Sequence, residues 1–122
     1  MSTYANECRK AALDGIIGLL SGGNVIFQAA GPTELAVLPV SWGAASTASP
    51  STSLGTCTAD TSVTAGTITL YALRTSANAV RINGTVGTSG ANLNVTNNVI
   101  PTGATEVSCT GGLTLSLQLS TV

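Results

Sequence analysis

Two hydrophobic periods divide this chain. Between residues 3 and 21 apolar side chains recur every three or four positions, at Cys8, Ala12, Leu13, Ile16, Ile17 and Leu20, while Glu7, Arg9, Lys10 and Asp14 fall largely elsewhere on the wheel. That spacing predicts one amphipathic helix, capped by Ser2 or Thr3 and stopped by the glycines of "SGGN" at 21–24. Gly15 and Gly18 inside it each cost about 1 kcal/mol relative to Ala, which points to close packing. Ala11, Gly15, Gly18 and Gly22 fall near one stripe, suited to a tight fit on a sheet or on a second copy of the helix.

From residue 24 the period shortens to two. "NVIFQAA", "ELAVLPV", "GTITLYAL", "AVRINGTV", "NLNVTN", "EVSCT" and "GLTLSLQLS" are short runs rich in Val, Ile, Leu and Thr, separated by Gly, Pro, Asn and Ser. They predict seven strands, or eight if "LGTCT" pairs. In the last run Leu113, Leu115, Leu117 and Leu119 point one way and Thr114, Ser116, Gln118 and Ser120 the other, as in a central strand with one buried face. In "AVRINGTV" Val80, Ile82 and Val86 share a face, which turns Arg81, Asn83 and Thr85 outward. "RTSAN" has hairpin length, with Asn78 best able to take a positive φ and Arg74 at the loop edge.

Pro39 cannot donate to a ladder, so the strand ending at Trp42 is expected at an edge or to stop there. Trp42 then either anchors a neighbour or plugs its own core. The segment 43–53, "GAASTASPSTS", lacks periodicity and is expected to be a mobile loop. The whole predicts a mostly β fold: an antiparallel β-sandwich or jelly-roll-like barrel of about seven to eight strands with one N-terminal α-helix. A helical arm spans 1–23 and the β-sandwich domain 24–122.

Composition sharpens this picture. Of 122 residues 43% are hydrophobic but only 3% aromatic, so one core must be built chiefly from Ala, Val, Leu and Ile. Charged residues make up 7%, against about 25% in ordinary soluble domains, and Ser, Thr, Asn and Gly must cover the exposed faces instead. A net charge of −1 leaves little repulsion between copies, which favours life packed against neighbours. Four scattered Lys and Arg cannot neutralise a phosphate backbone, so nucleic acid is not an expected partner. The longest apolar runs, such as "LAVLPV", fall far short of the roughly 20 residues a bilayer requires, and no membrane partner is expected. Asp14 interrupts the one N-terminal stretch resembling a signal peptide, and a cleaved signal is not expected.

Candidate chemistry is sparse. There is no histidine, and the five carboxylates lie at long intervals, so neither a general base nor a metal site is indicated. No cofactor motif is present: "GTVGTSG" lacks the Lys-Ser/Thr ending and following helix of a phosphate loop and reads as a turn. "NGT" at 83 and "NVT" at 94 match the glycosylation pattern by chance in an Asn- and Thr-rich chain. Cys8, Cys57 and Cys109 are three in number, without paired spacing. They suggest reduced thiols, two of them half-buried; a Cys57–Cys109 bridge is compatible with the sequence but does not follow from it. An enzyme is not expected. The residues expected to make contacts with partners are Cys8, Leu13, Ile16 and Ile17 on the helix, with Trp42, Arg74 and Arg81 on the strands.

The order of these pieces resembles a family of small structural proteins of tailed bacteriophages and prophages. The helix "ANECRKAALDGIIGLL" precedes the apolar strand "NVIFQA" and a Ser/Ala/Gly-rich loop. The hairpin "AGTITLYALRTSANAVRINGTV" and the segment "GANLNVTNNVIPTGATEVSCTGGLTLSL" follow. The hairpin departs from the family pattern, in which Asp and Gly often form the turn that is "RTSANA" in this chain. What the resemblance implies is a virion component made in the host cytoplasm, a head decoration or cement protein on the outer capsid surface. Its implied partners are the major capsid protein and further copies of itself, commonly a trimer. A tail or fibre-associated adhesin, touching a receptor through "TASPSTS" and "TSGAN", is the alternative.

Overall fold

The computed structural model describes residues 4–46, 52–109 and 112–116. One helix, α1 (Asn6–Leu20), precedes the strands β1 (Asn24–Ala29), β2 (Thr33–Trp42), β3 (Thr52–Cys57), β4 (Gly66–Thr67), β5 (Leu70–Arg74), β6 (Val80–Gly87), β7 (Leu93–Asn94), β8 (Val99–Ile100) and β9 (Leu113–Ser116). The mostly β expectation with one N-terminal helix holds. Seven strands form one sheet in the order β7-β6-β5-β1-β2-β3-β9, and β4 pairs with β8 in a small second sheet. Leu93 and Leu113, from the two ends of the large sheet, line the same two cavities. The sheet is therefore curled until its ends face one another, in a barrel-like form.

The middle of the sheet is its driest part. Val25, Ile26 and Phe27 are consecutive in β1 and all buried, as a continuous apolar run demands when both faces of a strand are covered. β1 pairs with both β2 and β5, so Phe27 stands opposite Ala36 on one side and Tyr71 on the other. β2 serves two partners in turn: Thr33 to Pro39 lie against β1, and Val40 to Trp42 against β3. Pro39 occupies the handover, where its missing N–H interrupts no ladder and its carbonyl accepts from Thr58 N–H (2.8 Å). The edge-strand expectation for β2 is thus corrected. Along its N-terminal half the free edge is covered by the chain after β3: Val37 N–H donates to Asp60 Oδ2 (2.8 Å) and Thr64 N–H to the Leu35 carbonyl (2.9 Å).

Other strands differ from expectation in instructive ways. "GTITLYAL" splits into β4 and β5, because Ile68 N–H bonds to Asn98, just ahead of β8, while Thr69 N–H bonds to Gln28 of the large sheet. β7 pairs with β6 in parallel, the one exception to antiparallel pairing among the described residues. "EVSCT" contributes only an isolated bridge between Asp60 and Val107. β9 ends the strand order, paired with β3 alone, and is an edge strand rather than a central one; Leu117 to Ser120 lie outside the described residues. In β6 a bulge places Ile82 opposite Leu73 but Val80 opposite Arg74, leaving Arg81 as the extra residue. Val80 is consequently exposed and does not share the buried side of Val86. Asn78 takes the positive φ (62°) expected of it. Of the segment 43–53, residues 47–51 lie outside the described residues, while Ala45 is buried and Thr52 and Ser53 already belong to β3.

α1 starts at Asn6 with Ala5 in the N-cap position and no side-chain cap; Ser2 and Thr3, expected to cap it, lie outside the described residues. Its buried side is Arg9, Leu13, Ile17 and Leu20, whereas Cys8 and Ala12 are exposed. The apolar wheel is rotated from its expected setting because Arg9 lies down along the buried side, its Nη1 donating to Asn6 Oδ1 (3.3 Å). Gly22 (φ 72°) ends the helix as expected. Gly23 joins helix to sheet in a space with no room for a side chain, since a Cβ there would stand 1.8 Å from the Arg74 carbonyl oxygen.

This orientation has a direct test in chemical denaturation. Leu13→Ala should cost about 2–5 kcal/mol, as for a fully buried leucine, whereas Leu19→Ala, at a position 59% exposed, should change stability by no more than about 0.5 kcal/mol.

Candidate interaction surface

Leu13 and Ile17 are consumed by the protein's own interior. With Ala45 they form a small buried cluster against which Trp42 and Leu115 pack. Trp42 also packs on the larger cluster around Val25, Phe27 and Leu38, so it joins the two cores and acts as a plug rather than an exposed anchor. Ile16 is half-buried at the rim of a cavity. Arg74 is half-buried, its Nε donating to Asn24 Oδ1 (2.8 Å), which ties the adjoining ends of β5 and β1. Of the seven residues expected to touch partners, Cys8 on α1 and Arg81 in the β6 bulge are exposed. The Arg81 side chain makes no hydrogen bond or ion pair among the described residues.

Two surface features emerge only from the folded arrangement. Along the outward side of α1, Cys8, Ala11, Ala12, Gly15, Gly18 and Leu19 are all exposed, forming an uncharged strip. A Cβ added at Gly15 or Gly18 would meet nothing within 4 Å, so the small-residue stripe faces away from the sheet. Beyond Pro39 the outer face of the sheet carries Ser41 beside Thr56 and Leu54 beside Thr114, exposed cross-strand neighbours without a charge among them. The alternation of strand positions foretold this hydroxyl face; the direction of the helical stripe required the packing of Leu13 and Leu20.

The helix is held at this angle by a polar tie. Asp14 Oδ1 accepts from Ala45 N–H (2.9 Å), and Oδ2 pairs with Lys10 Nζ one turn earlier. The hydrogen bond from Lys10, then that from Ala45, hold the Asp14 carboxyl below its ordinary value of 3.8 against the opposing effect of burial. Asp14, Gly18, Trp42 and Gly43 line a groove of about 440 Å³ between α1 and the end of β2.

Inside the curl, a second cavity of about 440 Å³ is lined by Leu13, Ile16, Trp42, Tyr71, Ile82 and Leu115, with the amides of Asn83 and Asn92 beside them. Burial pushes the Tyr71 hydroxyl above its ordinary range, so it stays protonated at neutral pH. Asn92 Oδ1 is already occupied by Thr85 N–H and Oγ1. Its lining is chiefly apolar and presents no group that exchanges a proton near neutrality. Among the described residues no three His, Cys, Asp or Glu side chains gather where a metal ion could bind.

Compared with protein-family models, with curated proteins and with solved structures, the chain matches none.

The Asp14 tie makes a pH-dependent contribution of known sign. Because the folded-state value is depressed, its stabilisation is complete above about pH 4 and is lost as pH falls through the lowered value. Urea unfolding followed by Trp42 fluorescence should show Asp14→Asn less stable than the parent at pH 7, with the gap closing as the pH is taken below the ordinary carboxylate range.

Proposed function

We propose that the chain is a structural virion protein of a tailed bacteriophage, a decoration or cement protein on the outer surface of the head. It binds the major capsid protein, associates as a homo-oligomer of three copies and stabilises the capsid lattice. The observation that carries this reading is the uncharged outward strip of α1, where Gly15 and Gly18 leave a neighbouring backbone free to approach closely. The resemblance of the element order to small phage structural proteins supports the head as the place of action.

A net charge of −1 over 122 residues also supports it, because closely spaced copies would not repel one another. Hydroxyl-bearing faces such as Ser41, Thr56 and Thr114 hydrogen-bond to neighbours without the desolvation cost of buried charges. Arg81, exposed at the bulge, offers a charge-assisted contact to a carboxylate on the shell. Each contact is weak, and three copies engaging the shell together multiply their effect.

Gly18→Leu tests the reading, since the added side chain enters open space and should leave the fold intact by far-ultraviolet circular dichroism. Electron microscopy of purified particles should find the parent protein on heads at symmetry-related positions and the variant reduced by at least about tenfold, equivalent to about 1.4 kcal/mol. Full occupancy by the variant would remove the helix strip from the contact, and parent density on tails alone would overturn the head assignment.

A further inference from the structure

Cys57 and Cys109 are brought together by two strand pairings that bracket them. On one side Gly55 pairs with Leu113. On the other, Asp60 and Val107 exchange both backbone hydrogen bonds at 2.9 Å. Cys57 lies two residues from the first clamp and Cys109 two residues from the second. Both side chains are half-buried and pack against the same core cluster. Cys109 lines a cavity of about 430 Å³ beside Phe27, Ile68 and Val107.

We propose that this pair is a redox modification site: a dithiol under reducing conditions that closes to an intramolecular Cys57–Cys109 disulfide when a low-molecular-weight disulfide such as oxidised glutathione is the oxidant. The Cys57 thiolate attacks the reagent's S–S bond and expels one thiolate. Cys109 Sγ then attacks the mixed disulfide at Cys57 Sγ and expels the second. Two S–H bonds are broken, one S–S bond is made within the protein, and two electrons reduce the reagent to two thiols.

The environment sets the order and pace of these steps. Burial, then the hydrogen bond with Cys57, pushes the Cys109 thiol up to about 12, while that same hydrogen bond partly offsets the rise that burial imposes on Cys57. Cys57 is therefore the attacking sulfur, and at neutral pH the scarcity of thiolate makes closure slow. Raising the pH accelerates it. Once closed, the bridge spans about 50 residues of chain, from the end of β3 to the entrance of β9, and restricts the unfolded state accordingly.

The test uses the full chain with Cys8→Ser, which removes an exposed thiol that would otherwise link separate molecules. The protein is incubated with oxidised glutathione at about pH 8.5, where thiolate is more abundant. Trypsin cleaves after Arg74 and Arg81, so the two cysteines fall on different peptides unless a disulfide joins them. The expected result is a joined Cys57–Cys109 peptide pair that separates on reduction, slower formation at pH 7, and a melting temperature raised by roughly 10 °C. Neither Cys57→Ser nor Cys109→Ser should show the rise. Glutathione retained on single cysteines, two thiols left unreacted, or a joined form that melts below the reduced one would each overturn the proposal.

Discussion

Sealing Leu13, Leu20, Val25 and Leu38 from water is the constraint on which the remaining structure depends. They come from α1, β1 and β2, and burying each is worth roughly 1.5–3 kcal/mol. Helix and sheet can share this core only if the chain turns sharply at Gly22 and passes Gly23 against the Arg74 carbonyl. Gly23 also passes the connection onward, donating to the Leu20 carbonyl (3.0 Å) and accepting from Val40 N–H (3.2 Å). Fixing α1 here decides which of its sides meets solvent, and the outward strip carrying Gly15 and Gly18 follows from that choice.

A chain with so few aromatic and charged residues compensates through topology. β1 is buried on both faces, β2 is shared between two partners with Pro39 at the exchange, and the sheet curls until its end strands face across a common interior. Trp42 spans the two core clusters and substitutes one large ring for several aliphatic contacts. The surface left over is polar through hydroxyls and amides. Neutral groups of this kind exchange water for protein partners at small cost.

Much of the architecture was legible in the residues. The switch from a period of three to four to a period of two at Asn24, the glycine stop at 22, the positive φ of Asn78 and the outward turn of Arg81 all follow from local stereochemistry. The candidate contacts were harder to read. Leu13 and Ile17 looked equally suited to a partner or a core, since apolarity says nothing about whose surface will cover it. Arg74, expected to contact a partner, instead bonds within the chain to Asn24, 50 positions away in sequence and so beyond any local pattern. Arg9 belongs by residue type to the polar side of the helix, yet it is buried together with its Nε, which has no partner among the described residues.

By itself, then, the sequence determined the class of fold, the existence of the helix and the scarcity of reactive groups, because these depend on side-chain period and composition. Tertiary structure alone decided the rotation of α1, the interior position of β2, the parallel pairing of β7, the bulge at Arg81 and the meeting of Cys57 with Cys109. Each of these joins segments remote along the chain, and such pairings are selected by which combination buries the most apolar surface while satisfying the backbone. No local window of residues contains that comparison.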